Sequence, residues 1–461
     1  MPSSQAQKLA ALIAQAVDDI EADTARQIPG AVTTDINQPS VAPEDELEAT
    51  PQRAKALRTL KAATHQLLAT LLPAGMQVIE THLSTLQTAM LDIVVEAKIA
   101  DLLYSLDPDS SRGGVHINVL SDKTGIDSDK LSHILRFLAV RNIFCEINEN
   151  HWVNNRLSFP LRSDSKNSVL NYLGHSHDDI VIPALLELRN FVLQKKDSVI
   201  IDKECYPSAW SKHRKWKGDF FEHLLSSEGG YKAERFGKAM LEITSALGIG
   251  DSQYKGFDWK SLPPKGTLID VGGGIGAASY ALAGYLPAWK IIVQDRTEVV
   301  THGNEHYQKI GSSANIEFEA HDFLKPQPVH RMQAVDAYFL RHILHDWPES
   351  QCLKILTLLR QAAKPSTYLL VCETKLDPPV MKRDSVILPN GGMATATPHN
   401  LDLTMMTLFD SKERNTKEYA ELFQKGGWRF ESAIPLMTTV DKYVFKAVPN
   451  SDWKDSSTTL Q

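Results

Sequence analysis

The 461-residue sequence predicts an α/β protein, with a Rossmann-like, doubly wound parallel sheet in its C-terminal half and a helical, winged-helix region before it. Three observations carry this expectation. Short apolar runs alternate with helical patterns after Gly266: Leu268 to Val271, Lys290 to Gln294, Ile316 to Glu319, Ala334 to Leu340 and Thr367 to Glu373. The first run feeds a glycine-rich turn, LIDVGGGIGAAS over Leu268 to Ser279, in which Gly272, Gly273 and Gly274 let the backbone turn sharply and approach a ligand. The third observation is a change of period, because apolar residues recur at three- and four-residue steps up to Leu106.

In chain order, Leu9 to Ile20 reads as a helix and Pro29 to Pro51 as a linker. Helix resumes from Arg53 to Leu72, stops at Leu72-Pro73-Ala74-Gly75 and restarts as one long helix from Met76 to Leu106. Its wide apolar stripes suit a domain core or an intertwined homodimer. Ile117 to Leu161 reads as helix, a turn at Gly125, a second helix, and a hairpin ending at Trp152 and Val153. A DNA-recognition helix could run from Ser128 to Arg141. Its basic residues are only Lys130, His133, Arg136 and Arg141, without the flanks that phosphate contacts need, which favours a structural or dimerising role. Tyr172 to Phe191 reads as an amphipathic helix, with His175, His177, Asp178 and Asp179 forming its solvated start. Trp210, Trp216, Phe220 and Phe221 suit a core or the lining of a pocket for a flat apolar substrate. The final strands, Trp428 to Ala433 and Thr438 to Lys446, lack an intervening helix and are expected as an antiparallel hairpin at the sheet edge. The expected organisation is residues 1–75 as N-terminal helix and linker, 76–165 as the dimerisation domain, 166–250 as a connector lining the substrate pocket, 251–447 as the cofactor-binding domain and 448–461 as a polar tail.

Composition narrows the function. A net charge of -7, from 49 basic and 56 acidic residues, gives no reason to expect nucleic acid or an anionic membrane as partner. Cys145, Cys205, Cys352 and Cys372 lie far apart, which points to reduced core thiols and away from a structural zinc. With no apolar run of spanning length and no signal core, a cytoplasmic location is expected.

Asp295 ends the second strand, roughly twenty residues beyond the glycine turn, the offset of a ribose-binding acid. A dinucleotide dehydrogenase would also fit, although the turn is GGGIG and not GxGxxG. Asp322 and Phe323 are placed to hold an adenine edge and ring face, or to serve as a helix cap beside a core ring. The stretch that decides is FLRHILHDWPE, Phe339 to Glu349. With Asp270 to Gly274, His321 to Phe323, Leu340 to Trp347 and the KER at Lys412 to Arg414, the chain resembles the S-adenosylmethionine-dependent O-methyltransferases of the caffeate and hydroxyindole type, in a form common among fungal secondary-metabolite enzymes. The resemblance covers roughly Leu91 to Lys446.

What the resemblance implies is a general base at His345, steadied by Glu373 and Glu413, and a cofactor site of Asp270, Gly272, Gly273, Gly274, Asp295, Asp322, Phe323, Arg341 and Trp347. An imidazole near pKa 6.5 can take the proton of a phenol near 10 as methyl transfer begins. Arg341 stands where plant members have lysine, which changes the geometry of the charge. His342 matches no functional position and is expected to be structural; Asp346 is expected to point elsewhere. Met405, Met406 and Phe409 are core by default, but family members clamp an aromatic substrate with a methionine here. Asp377 to His399 is expected to form a loop over the pocket. The expected reaction needs no metal and takes an aromatic phenol, plausibly a fungal polyketide such as a hydroxyanthraquinone, in a homodimer. The alternatives are a relative that binds the cofactor but catalyses a non-methylating rearrangement, and a winged-helix DNA-binding regulator.

Overall fold

The computed structural model describes residues 4–31, 35–38, 45, 47, 50–177, 181–193, 206–226, 229–246, 251–380, 385–438 and 440–454. Its backbone contacts divide the chain into two units: Met1–Pro183 with Phe221–Gly248 and Lys382–Ala394, and Ala184–Phe220 with Ile249–Met381 and Thr395–Gln461. None of the described helices is long and apolar enough to cross a membrane.

The first unit opens with a helical hairpin, Gln5–Gln27 against Pro51–Leu71. Ser4 and Gln7 form a reciprocal capping box on the first helix, and Thr50 caps the second while its hydroxyl donates to Asp23. The long helix expected from Met76 to Leu106 is instead three: Ala74–Leu83, Thr85–Glu96 and Ile99–Leu106. Ser84 turns its hydroxyl onto the Thr81 carbonyl at 2.7 Å and Lys98 adopts a left-handed φ of 52°, so local bonding ends each segment where apolar periodicity alone would continue. Helices Ile117–Thr124 and Ser128–Ala139 follow, joined through Gly125 in the left-handed region. Val115–His116 (β1), Cys145–Asn148 (β2) and His151–Val153 (β3) complete this part as an antiparallel sheet of order β1-β3-β2. Leu103, Leu120, Leu131, Leu135, Phe144 and Trp152 form its core. Within the segment weighed as a recognition helix, Arg136 gives its fork to Glu146 and Arg141 lies over the Phe137 ring.

The helix expected from Tyr172 to Phe191 also divides, into Leu170–His175 and Ile182–Val192, with Pro183 in the first turn of the second, where its missing N–H costs nothing. His175 is not a solvated helix start: it is 4% exposed, edge-on to Phe236, and burial holds its imidazole down at about 4. His177 pairs with Asp92, while Asp178 and Asp179 lie outside the described residues, as does Cys205.

The second unit holds seven strands: Gly266–Val271 (β4), Trp289–Asp295 (β5), Ile316–Ala320 (β6), Ala337–Arg341 (β7), Tyr368–Thr374 (β8), Trp428–Pro435 (β9) and Lys442–Pro449 (β10). Their order is β6-β5-β4-β7-β8-β10-β9, with β10 antiparallel to both β8 and β9. The hairpin expected at the edge is therefore present, and its second strand is the inner one. Alternate residues feed two cores: Ile269, Ile292, Tyr338 and Leu369 pack with helices Glu349–Ala362 and Thr416–Lys425, while Leu268, Ile291, Phe339 and Leu370 pack with Ala277–Tyr285. Between β6 and β7 the expected helix is only the single turn Val329–Arg331, since Pro326 and Pro328 exclude a longer one. The β4 strand lies between β5 and β7, so successive connections leave it in opposite directions and open a crevice at the carboxyl ends of the strands.

Trp428 is fully buried, meets Tyr338 edge-on and donates its indole N–H to the Leu356 carbonyl at 2.9 Å. Trp428→Ala should therefore cost about 3–5 kcal/mol. Denaturant unfolding checks this, and a cost near zero would show that the β9 edge does not bear on the core.

Candidate active site

The glycine turn closes on itself through backbone. Gly272 and Gly274 have φ of 66° and 62°, and a Cβ on Gly273 would lie 2.7 Å from the Asp270 carboxyl carbon and 2.8 Å from Val293. Asp270 is turned under this loop, 1% exposed, where it accepts the Ser279 hydroxyl at 2.6 Å, and burial pushes its carboxyl up to about 6. Asp295 accepts the Gly274 N–H at 2.8 Å and the Arg296 N–H at 2.7 Å, one on each oxygen. Burial raises its pKa against those two bonds. The acid at the end of β5 is thus tied directly to the turn after β4.

Asp322 is exposed just beyond β6 and accepts the Leu324 N–H. Phe323 meets Trp347 edge-on at 5.7 Å. Arg341, at the end of β7, is partly buried, with Tyr254, Cys372 and Asp270 nearby.

Past β7 the chain makes one tight turn, Leu344–Asp346, that presents His345. Glu373, at the end of β8 and fully buried, holds this turn by accepting the N–H groups of Ile343 and Leu344 on one oxygen, both at 2.9 Å. Its other oxygen lies 3.7 Å from His345 Nδ1. Glu413 reaches the same nitrogen at 2.6 Å and is itself fixed by Asp402, which accepts its backbone N–H at 2.8 Å. The three residues expected to act together are therefore together, all buried.

Burial disfavours a charged imidazole, but the carboxylates of Glu373, Glu413 and Asp346 outweigh it and raise His345 to about 10. This departs from the unperturbed imidazole expected from sequence, because the acids that orient the ring also stabilise its cation. Asp346 does not point elsewhere: its carboxylate is 3.5 Å from His345 Nε2, and burial pushes it up to about 7.

His342 has a left-handed φ of 55° and lays its ring on His345 at 5.1 Å. Its Nε2 meets the Lys442 ammonium, and burial and then that cation hold it well below its usual value. Burial brings Lys442 itself down to about 8. Asp402 and Lys442 carry no local sequence signal; one reads as an ordinary helix acid and the other as a strand end. Met405 is buried on helix Ala396–Phe409, whereas Met406 and Phe409 are partly exposed, and Phe409 meets Phe220 edge-on at 5.6 Å. Phe220 also packs on Trp210, both buried, and Phe221 meets Phe236.

His345, Glu373 and Glu413 each bring a ligand-type atom within 4.8 Å of the others, so their composition would also suit a cation. The Nδ1 to Glu413 distance of 2.6 Å is that of a hydrogen bond, whereas two ligands of one zinc ion stand about 3.3 Å apart.

Residues 226–429 match the family model described as the O-methyltransferase domain. The matched span carries the parallel strands and the buried His345 cluster, so this part of the chain is an O-methyltransferase domain. The chain is 28% identical to an O-methyltransferase of Armillaria gallica over 95% of this chain and 96% of that one. It is 29% identical to 3-O-methyltransferase 2 of Phanerochaete chrysosporium, over 81% and 83% of the two chains. Among solved structures, the mitomycin 7-O-methyltransferase MmcR shares the fold with a TM-score of 0.64 at 21% identity, over 82% of this chain and 98% of that one.

His345 binds its proton more tightly when folded, at about 10, than at the usual imidazole value of about 6.5. Its contribution to stability is therefore full below about pH 6.5 and is lost as pH rises through about 10. Glu413→Gln removes an anion from Nδ1, so the His345 titration followed by NMR should move to lower pH. An unmoved titration would mean that Glu413 does not set the charge of the ring.

Proposed function

We propose that this chain transfers a methyl group from S-adenosylmethionine to a phenolic hydroxyl of an aromatic secondary metabolite, with His345 as general base. The observation that carries the reading is the buried His345, its Nδ1 fixed by Glu413 and its Nε2 on the opposite edge of the ring. The residues fit the cofactor: the turn at Gly272 to Gly274 has no room for side chains at Gly272 and Gly273, and each Asp295 oxygen keeps a lone pair beyond its backbone bond. Gly272, Gly273 and Gly274 would face its methionine part and Asp295 its ribose. Asp322 and Phe323 would hold its adenine, with Trp347 packed beside it and Arg341 supplying positive charge nearby; Asp270 supports the turn from below. When bound, the cofactor supplies an activated methyl on a sulfonium.

The protein's own contribution is proton transfer and positioning. The phenol O–H proton passes to His345 Nε2, while the Nδ1–H stays on the ring and is donated to Glu413, whose charge balances the imidazolium. With His345 near 10 and a phenol near 10, that transfer is close to thermoneutral. The same value makes the free base a minority at neutral pH, so kcat/KM should rise with pH above 7. A flat profile from pH 7 to 9 in the free enzyme would contradict a base of this strength. Glu373 holds the His345 turn by its backbone. Met405, Met406 and Phe409, extended by Phe220, form an apolar wall suited to a flat ring. A flat, fused phenol such as a hydroxyanthraquinone suits such a wall. In support, a structural neighbour of the same fold, NcsB1, at 20% identity and a TM-score of 0.58, was solved with a hydroxynaphthoic acid.

The active form is a homodimer made through the helical region of residues 76–165. Val78 and Ile79 are 71% and 61% exposed on helix Ala74–Leu83, which buries none of its residues within the chain, and a second copy would cover such a face. Val78→Glu with Ile79→Glu should convert the dimer to monomer in sedimentation; an unchanged mass would place the interface elsewhere.

The direct test is incubation with labelled S-adenosylmethionine and a panel of hydroxyanthraquinones, hydroxynaphthoates and simple phenols. At least one should be methylated, and His345→Ala should lower kcat by about 100-fold or more. If no phenol is methylated, or the variant matches the wild type, the reading is wrong.

A further inference from the structure

His345, Glu373 and Glu413 come from three segments distant in sequence, and a base must be held to within about 0.5 Å of its productive position. Glu373 grips only the N–H side of the Leu344–Asp346 turn. The carbonyl side is gripped by Arg414, whose Nη1 donates to the Leu344 carbonyl at 2.8 Å and whose Nη2 reaches the Trp347 carbonyl at 3.4 Å. Those two carbonyls bracket His345. Ser411 Oγ donates to the Trp347 carbonyl at 2.7 Å, so the same loop holds the turn twice.

Arg414 also joins the third segment. Its carbonyl accepts the Leu376 N–H at 3.1 Å, and it bridges Lys375, two residues beyond Glu373. Its neighbour in the chain is Glu413. One residue therefore touches the turn of His345, the strand end of Glu373 and the loop of Glu413. The side chain is 2% exposed, and its described partners are backbone carbonyls and the Cys352 sulfur, with no carboxylate within ion-pair distance. A guanidinium buried on neutral acceptors is an expensive way to gain stability, and its planar fork is suited to fixing two carbonyls at once.

We propose that Arg414 is a positioning residue for methyl transfer: by clamping the carbonyls on either side of His345 from the loop that carries Glu413, it sets the register between the imidazole and its two carboxylates. The inference rests on the role of His345 given above. It concerns which group holds the base in place, not what the base does.

The test uses the full chain with Arg414→Met and Arg414→Lys, beside His345→Ala. Cofactor binding by calorimetry should stay within about threefold of wild type in both Arg414 variants, because the glycine turn and Asp295 are untouched. KM for the phenol should change little, while kcat falls about 100-fold in Arg414→Met, as expected of a misplacement near 1 Å, and by less in Arg414→Lys. The His345 titration followed by NMR should move to lower pH in Arg414→Lys, which keeps the buried cation, since a loosened loop weakens the Glu413 contact. If Arg414→Met fails to fold, Arg414→Lys carries the same measurements. Wild-type kcat in a folded variant overturns the proposal, and so does an unmoved His345 titration beside a general loss of stability and cofactor binding, which is what a purely structural role gives. An active His345→Ala overturns the base, whereas an inactive His345→Ala beside a fully active Arg414→Met overturns this inference alone.

Discussion

The hydrogen bond between His345 Nδ1 and Glu413, made between two buried side chains, is the constraint around which the ends of β7 and β8 are arranged. A carboxylate beside an imidazole in low dielectric fixes the ring, but it also stabilises the imidazolium strongly. The consequence is an imidazole raised to about 10, which under the proposed function would match it to a phenol. Two carboxylates need cations near them, and Lys442 and Arg414 are both buried in the same region.

The sheet explains how these groups meet. His345 follows β7 and Glu373 ends β8, and these strands pair in parallel, so residues thirty apart in sequence finish side by side. The glycine turn follows β4, which pairs with β7 on one side and β5 on the other, and Asp295 ends β5. The glycine turn and His345 thus sit along one edge of carboxyl strand ends. The antiparallel β10 delivers Lys442 to that edge from the opposite direction, opposite Thr374.

Much of this was legible in the sequence, and for identifiable reasons. The GGGIG turn, the acid ending the second strand and the HDW stretch are local patterns, and each lies where an apolar run stops. Missed features have a different character. The helix expected through Ser84 and Lys98 broke because a hydroxyl bond and one left-handed residue competed with apolar periodicity. The helix expected between β6 and β7 gave way to Pro326 and Pro328, whose effect is visible in sequence but was outweighed by the expectation of strict alternation. His175 looked like part of a polar, solvated cluster; only tertiary packing against Phe236 revealed it as a buried, neutral side chain.

By itself the sequence determined the α/β architecture and the strand that ends in the glycine turn, and it singled out His345, Glu373 and Glu413, which folding brings together, because periodicity and short motifs are properties of neighbours along the chain. Tertiary structure decided the protonation state of His345, the approach of Asp346 to its second nitrogen, and the grip of Asp402 and Arg414 on the Glu413 loop. Those depend on distances between segments remote in sequence and on burial, since a pKa is set by the field of groups that folding brings together.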